Sequence, residues 1–348
     1  MSDNLVYRGT TFPNNTWGIL ENNVINSIKK QINDNFVNQT NLFINGTWFS
    51  PNINYECYID VVTMDGEFDN LFFLTTVDPP QITIDDIIKL SRNFGSPTVY
   101  FLGNFDHSQY EFNFISYAIT QEFKDYEDDL ILTDIKYNFI NYNRKPATHR
   151  VELVTSIIDS GLDNNAIVTL GKHPSINDTD ELYMSINEKN KDFVETGHWF
   201  DLDDKDSDFG IPHDLLSLGN MEYWKHHFIN IVSETMFNPW DPIFVTEKTF
   251  KPIIGLRPFI INGNTRTYKW LRNNGFKTFS HYFPFVDLES INKHEIVSNI
   301  IEVLKWVDVE PNANLMSMYN DMLPDLLHNK ERFYVFANEQ QHKMEHLF

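Results

Sequence analysis

The chain has 348 residues, 41% of them hydrophobic, which is enough for two domains of common size. Its 27 Lys and Arg against 49 Asp and Glu leave a formal charge of −22, which argues against a broad surface that tracks nucleic-acid phosphates but not against a local basic pocket. The single cysteine, Cys57, excludes an intrachain disulfide and a cysteine-rich zinc site, and it fits a reducing compartment.

From the N-terminus, MSDNLVYRG lacks the basic-then-apolar pattern of a signal peptide, and no apolar run reaches the ~18 residues of a membrane span. Val24 to Ile32 reads as an amphipathic helix, and the segments 41–49 and 55–64 read as strands. Leu71 to Val77 is a short apolar strand stopped by Asp78-Pro79-Pro80. A helix over 82–90 and a strand over 98–102 follow. A new cycle opens at Asp134: a strand to Asn143, then a helix with Val151, Val154, Ile157 and Ile158 on one face, closed by Gly161, then a strand over 166–170. The polar stretch 172–210 reads as excursions from the sheet. Its acidic run, Asp201 to Asp208, reads as a solvated loop, with a divalent-cation role as the lesser alternative. Pro212 suits the first position of a helix reaching Trp224, and Phe228 to Val232 is the next strand. Residues 244–279 read as helix, strand, helix, strand. Asn292 and Glu295 suit a capping box, and a last helix places Leu315, Met318, Tyr319, Met322 and Leu326 on its apolar side. The alternation of strands and helices predicts an α/β protein, divided into domains 1–135 and 136–348.

The glycine-rich nucleotide loops, the nucleophile elbow and the zinc-binding histidine pairs are missing from the sequence. The candidate groups fall at strand-to-helix junctions, where open α/β sheets bind ligands. One junction carries Arg144, Lys145, His149 and Arg150, a concentration of cations in an acidic chain. Another carries Thr246, Glu247, Lys248 and Thr249, with Thr246 as N-cap and Lys248 beside backbone N–H groups that suit a diphosphate. Ser233, Glu234 and Thr235 form a third strand-end cluster. For each, the structural alternative is an ordinary capped helix start or a surface ion pair.

Val245-Thr246-Glu247-Lys248-Thr249, followed by Arg257-Pro258-Phe259-Ile260, resembles the donor-binding segment of the fucosyltransferase-like glycosyltransferases. The later Leu271-Arg272 and Gly275 to Phe279 are similar to glycosyltransferase-like proteins of large bacteriophages. The upstream Asn143 to Pro146 with His149-Arg150 looks like the start of the same C-terminal domain. The resemblance covers about residues 136–285. It implies a two-domain glycosyltransferase B-like fold with Rossmann-like domains, whose terminal helices can return to the first domain. It implies a nucleoside diphosphate sugar as donor substrate, a glycan or other hydroxyl acceptor, and no metal or cofactor in the chemistry. By carry-over Glu247 holds the ribose hydroxyls, Lys248 and Arg144 or Arg150 meet the diphosphate, and Ser233 and Glu234 lie near the donor sugar. The base is expected on the N-terminal side. Asp78, at a strand end, is the first choice and Asp106 the second. Two rival readings are a non-catalytic nucleotide- or glycan-binding module and a viral structural protein. Nucleic acid is not an expected partner. The expected location is the cytoplasm, that of the host for a viral chain.

Overall fold

The computed structural model describes residues 4–9, 16–46, 55–75, 84–103, 109–120, 130–143, 147–170, 218, 221–238 and 243–348. The described residues up to Thr120, together with Val335–Phe348, form one compact unit. Those from Leu130 to Tyr334 form a second.

In the first unit five parallel strands lie in sequence order: β1 (Leu5–Arg8), β2 (Asn41–Asn45), β3 (Asn70–Thr75), β4 (Thr98–Gly103) and β5 (Tyr110–Glu111). Neighbouring parallel strands need crossovers. These include α1 (Thr16–Asn35), α2 (Tyr55–Val62) and α3 (Ile84–Ser91), with α4 (Phe114–Thr120) after β5. Alternation within the strands sends Phe43, Phe72 and Leu74 to a core face shared with Val24, Ile25, Ile28 and Ile32 of α1. Leu42, Ile44, Leu71 and Phe73 line the opposite face with Val61 and Ile87.

The segment 55–64, expected as a strand, is helical through Val62. Its β-branched and aromatic residues suggest a strand, but Tyr58, Val61 and Met64 recur every three residues and meet one core face. Parallel β2 and β3 also require a crossover at that point. Gly103 closes β4 at φ +116°, and an added Cβ would lie 1.9 Å from the Thr75 carbonyl oxygen, so no other residue fits.

The second unit has four parallel strands in the order β7-β6-β8-β9: β6 (Tyr137–Asn141), β7 (Ala166–Val168), β8 (His227–Ser233) and β9 (Phe259–Asn262). Its helices are α5 (Thr148–Asp159), α6 (Met221–His226), α7 (Glu247–Ile254), α8 (Arg266–Asn273), α9 (Lys293–Val309) and the part of α10 (Asn312–Glu345) up to Tyr334. Every residue of β8 is buried, as expected for a strand covered on both faces. Gly161 ends α5 at φ +67°, and Val151, Val154 and Ile157 are buried. Asn292 caps α9 by accepting from the His294 N–H, while Glu295 binds the Asn292 side chain and the Ser290 hydroxyl.

The expected strand over 275–279 does not form. The Lys277 N–H and carbonyl are bonded to the Asn329 side chain at 2.7 and 3.0 Å, which removes them from any ladder. The fully buried Arg257 donates to the carbonyls of Leu130, Gly255, Leu256 and Trp224. Its guanidinium thus lies at the C-terminal ends of α6 and α7, where helix dipoles favour a cation.

The grouping differs from the expected division in two places. Residues 130–135 belong to the second unit, tied there by the Leu130 carbonyl on Arg257 and the Leu132 N–H on Tyr319. Val335–Phe348 belongs to the first, because Met344 and Leu347 enter its core and Phe348 packs on Phe36, Phe72, Tyr100 and Tyr110. The polar stretch 172–210, with its acidic run, and Pro212 lie outside the described residues. Among the described residues no helix is long and apolar enough to cross a membrane.

Candidate functional site

The second sheet reverses its order between β6 and β8: the chain places β7 on one side of β6, then returns to place β8 and β9 on the other. In open α/β sheets a ligand crevice forms beyond the strand C-termini at such a reversal. The neighbouring strands β6, β8 and β9 end in the polar residues Asn141, Ser233 and Asn262, and these are joined. The Asn141 amide donates to the Ser233 hydroxyl at 3.2 Å and to the Ile231 carbonyl at 2.8 Å. Asn143 donates to Asn141 Oδ1 at 2.6 Å and to the Thr169 carbonyl at 3.1 Å. The Asn262 amide donates to Ser233 Oγ at 3.3 Å and to the His149 carbonyl at 3.2 Å. Among the described residues, no donor reaches the buried Asn143 Oδ1 and Asn262 Oδ1. An unmet buried acceptor costs about 1–3 kcal/mol, so both suit a donor from water or a ligand.

His149 and Arg150 stand in the first turn of α5, and both are buried. His149 Nε2 lies 2.9 Å from the Glu234 carbonyl oxygen, and Arg150 donates to the same oxygen at 3.3 Å. A carbonyl only accepts, so Nε2 carries the hydrogen and Nδ1 presents a lone pair. Burial, reinforced by the charges of Arg150 and Lys248, pushes the His149 pKa down to about 3 despite the bond to Glu234. The ring stacks on Phe237 with centroids 4.8 Å apart and an interplanar angle of 12°.

Glu234 follows β8 and is 1% exposed. One carboxylate oxygen accepts from the Thr246 N–H at 3.1 Å and the Thr249 hydroxyl at 2.6 Å. The other accepts from the Thr246 hydroxyl at 2.6 Å and the Thr235 N–H at 3.3 Å. Thr246 caps α7, accepting from the Lys248 N–H. The Thr249 N–H goes to the Thr246 carbonyl. These bonds correct the expectation of free N–H groups beside Lys248. The place an anion takes at a helix start is filled by the protein's own carboxylate.

Lys248 Nζ, partly exposed, pairs with Glu247 Oε1 at 2.7 Å and reaches Thr246 Oγ1 at 3.3 Å. Burial alone raises the Glu247 pKa, but the charges of Lys248 and Lys251 outweigh it and the net shift is downward. Glu247 is therefore an ionised acceptor at a junction that also carries cations.

Seven of the expected site residues thus belong to this one unit: His149, Arg150, Ser233, Glu234, Thr246, Glu247 and Lys248. Glu234 bonds directly to His149, Arg150 and Thr246. Ser233 joins the amide ladder. Asp78, Asp106 and Arg144 lie outside the described residues. The reading from sequence missed Asn141, Asn262 and Phe237 and gave Thr249 no bonding role. The available signal was that β6 and β9, both apolar, each end in an asparagine. Among the described residues no group of three or more His, Cys, Asp and Glu could hold a metal ion. No protein-family model, curated protein or solved structure matches the chain.

Proposed function

We propose that the protein is a glycosyltransferase that moves a sugar from a nucleoside diphosphate sugar to a hydroxyl acceptor, with the donor bound at the C-terminal edge of the second sheet. The observation that carries this reading is the bonding of two charged strand-to-helix junctions through one residue. His149 and Arg150 share the Glu234 carbonyl, while the Glu234 carboxylate holds the start of the helix bearing Glu247 and Lys248.

In this reading Arg150 and Lys248 meet the diphosphate, joined by Arg144 of the same basic segment. Their charges stabilise the negative charge that develops as the nucleoside diphosphate leaves. Ionised Glu247 accepts from the ribose diol. The open acceptors Asn143 Oδ1 and Asn262 Oδ1 suit a hydroxyl-rich ligand. The family resemblance implies chemistry without a metal, and in this reading the side-chain cations offset the charge of the leaving group. The base that removes the acceptor proton is Asp78 as first choice and Asp106 as second. Two parallel-sheet units, with Val335–Phe348 returning to the first, support a glycosyltransferase B-like arrangement.

Calorimetry with UDP, GDP and their sugars tests the binding step. Lys248→Ala is expected to weaken binding by about 1–3 kcal/mol, the range for losing a charged hydrogen-bond partner. Slow release of sugar from a donor, lost in the Glu247 and Lys248 variants, supports transfer. Binding without turnover across a broad acceptor panel replaces the enzyme with a binding module. No binding to any nucleotide overturns both.

A further inference from the structure

We propose that Glu234 is a positioning residue that sets the start of α7 against the start of α5, so that Lys248 and Arg150 reach one anionic ligand together. This rests on the nucleotide-binding reading above. It differs from the expectation that Glu234 itself lies against the donor sugar.

Every polar group of Glu234 is engaged within the protein. Its N–H donates to the Asn262 carbonyl at 3.1 Å, which ties it to the end of β9. Its carbonyl receives His149 and Arg150, which ties it to α5. Its carboxylate receives four donors, three of them from Thr246 and Thr249 at the start of α7. A carboxylate accepting four donors in a buried setting has no capacity left for a ligand hydroxyl. The backbone around it is adapted to hold it: a Cβ on Gly263 would lie 2.9 Å from Glu234 Cβ and 3.2 Å from the Met236 carbonyl oxygen. Glu234 thus joins three elements at the sheet's order reversal. The ligand-facing groups are the side chains around it.

The division of labour has a chemical consequence. A helix start that binds phosphate through its own N–H groups needs them open. Here Thr246 takes the Lys248 and Thr249 N–H groups and Glu234 takes the Thr246 N–H, so the phosphates fall to side-chain cations. Binding then depends on how α5 and α7 are set relative to each other, which Glu234 decides.

The test compares the full-length wild type with Glu234→Gln, Glu234→Ala and Gly263→Ala. Gln keeps the shape and one strong acceptor oxygen but turns the other into a donor facing donors. Gly263→Ala keeps the carboxylate and displaces it. Affinity for GDP and UDP is measured on the folded protein. Amide signals of residues 246–249 and the His149 imidazole ¹⁵N signals are recorded without ligand. The expected result is a folded Glu234→Gln protein with nucleotide affinity lowered 10-fold or more and shifted signals at both Thr249 and His149. Gly263→Ala is expected to produce the same pattern to a smaller degree. A lowered melting temperature with unchanged affinity and unchanged His149 signals makes Glu234 an ordinary core group and overturns the proposal. If the wild type binds neither nucleotide, the functional reading fails. The paired signals at Thr249 and His149 then still decide whether Glu234 sets the two helices.

Discussion

Each sheet carries a network of hydrogen-bonded polar side chains, at the strand starts in one and at the strand ends in the other. In the first sheet the hydrogen-bonded amides sit where strands begin: Asn70 donates to Asn41 Oδ1 at 2.9 Å and to the Gln39 side chain, and Thr40 binds Asp69 Oδ2 through N–H and hydroxyl at 2.7 and 3.0 Å. Asn41 and Asn70 face each other in the strand register, so this network pins alignment. In the second sheet the corresponding network, Asn141, Asn143, Ser233 and Asn262, sits where strands end. Strand order separates the two cases. The first sheet runs in sequence without a reversal, whereas the second turns back between β6 and β8. A polar cluster becomes a candidate site when it coincides with the edge and the gap that topology leaves open.

The largest expected effect breaks the comparison with acid. His149 titrates at about 3 in the folded protein against 6.5 ordinarily. Between those values the unfolded chain binds a proton that the folded chain does not, so stability present above pH 6.5 is lost as pH falls toward 3. The loss is about 1.4 kcal/mol per pH unit and roughly 5 kcal/mol over the window. Urea midpoints at pH 7 and pH 4.5 should fall more steeply for wild type than for His149→Asn. Equal slopes would show that the junction does not hold a neutral imidazole.

Next comes Arg257→Leu. It removes a donor from the carbonyls of Leu130, Gly255 and Trp224, while the Leu256 carbonyl keeps the Tyr319 hydroxyl, and the second unit should lose about 3 kcal/mol. Hydrogen exchange should accelerate in β8 and β9 and leave β2 and β3 unchanged. Acceleration in both sheets would deny that the units differ in what holds them.

Thr249→Val removes one donor from the Glu234 carboxylate and should cost about 1–2 kcal/mol of stability, read from denaturant midpoints. The smallest effect belongs to the first sheet's network. Asn70→Ala should cost about 0.5–1.5 kcal/mol and leave nucleotide affinity untouched, as calorimetry would report. A change in affinity there would remove the distinction between a network that aligns strands and one that serves a site.

Much of this contrast was legible in the chain. Leu71 to Leu74 and Phe228 to Val232 are apolar runs of strand length, and both are strands. Thr246 was readable as an N-cap because a Thr before Glu-Lys supplies the oxygen a helix start lacks. The segment at Tyr58 was misread because Ile59, Val61 and Val62 carry strand propensity, while the parallel pairing that demands a helix is visible only once β2 and β3 are neighbours. The 275–279 segment was misread because its hydrogen bonds go to Asn329, distant in sequence. The role of Glu234 was hidden for the same reason. Its partners span residues 149 to 262, and no local pattern announces them.

The return of Val335–Phe348 to the first unit fixes the order in which the molecule can be completed during synthesis. The first unit lacks Met344, Leu347 and Phe348, which complete its core beside α1 and β3, until the residues after Tyr334 have been made. The residues grouped in the second unit run no further than Tyr334. Domains commonly fold in the order they emerge. Here the later-encoded unit can close first, and the earlier one carries an exposed aromatic face through elongation. Joining Gln31 to the Met344 carbonyl and the Leu347 N–H spans more than 300 residues, among the longest loop closures in the molecule. Docking of the end of α10 and the residues after it is thus expected late in the folding of the first unit.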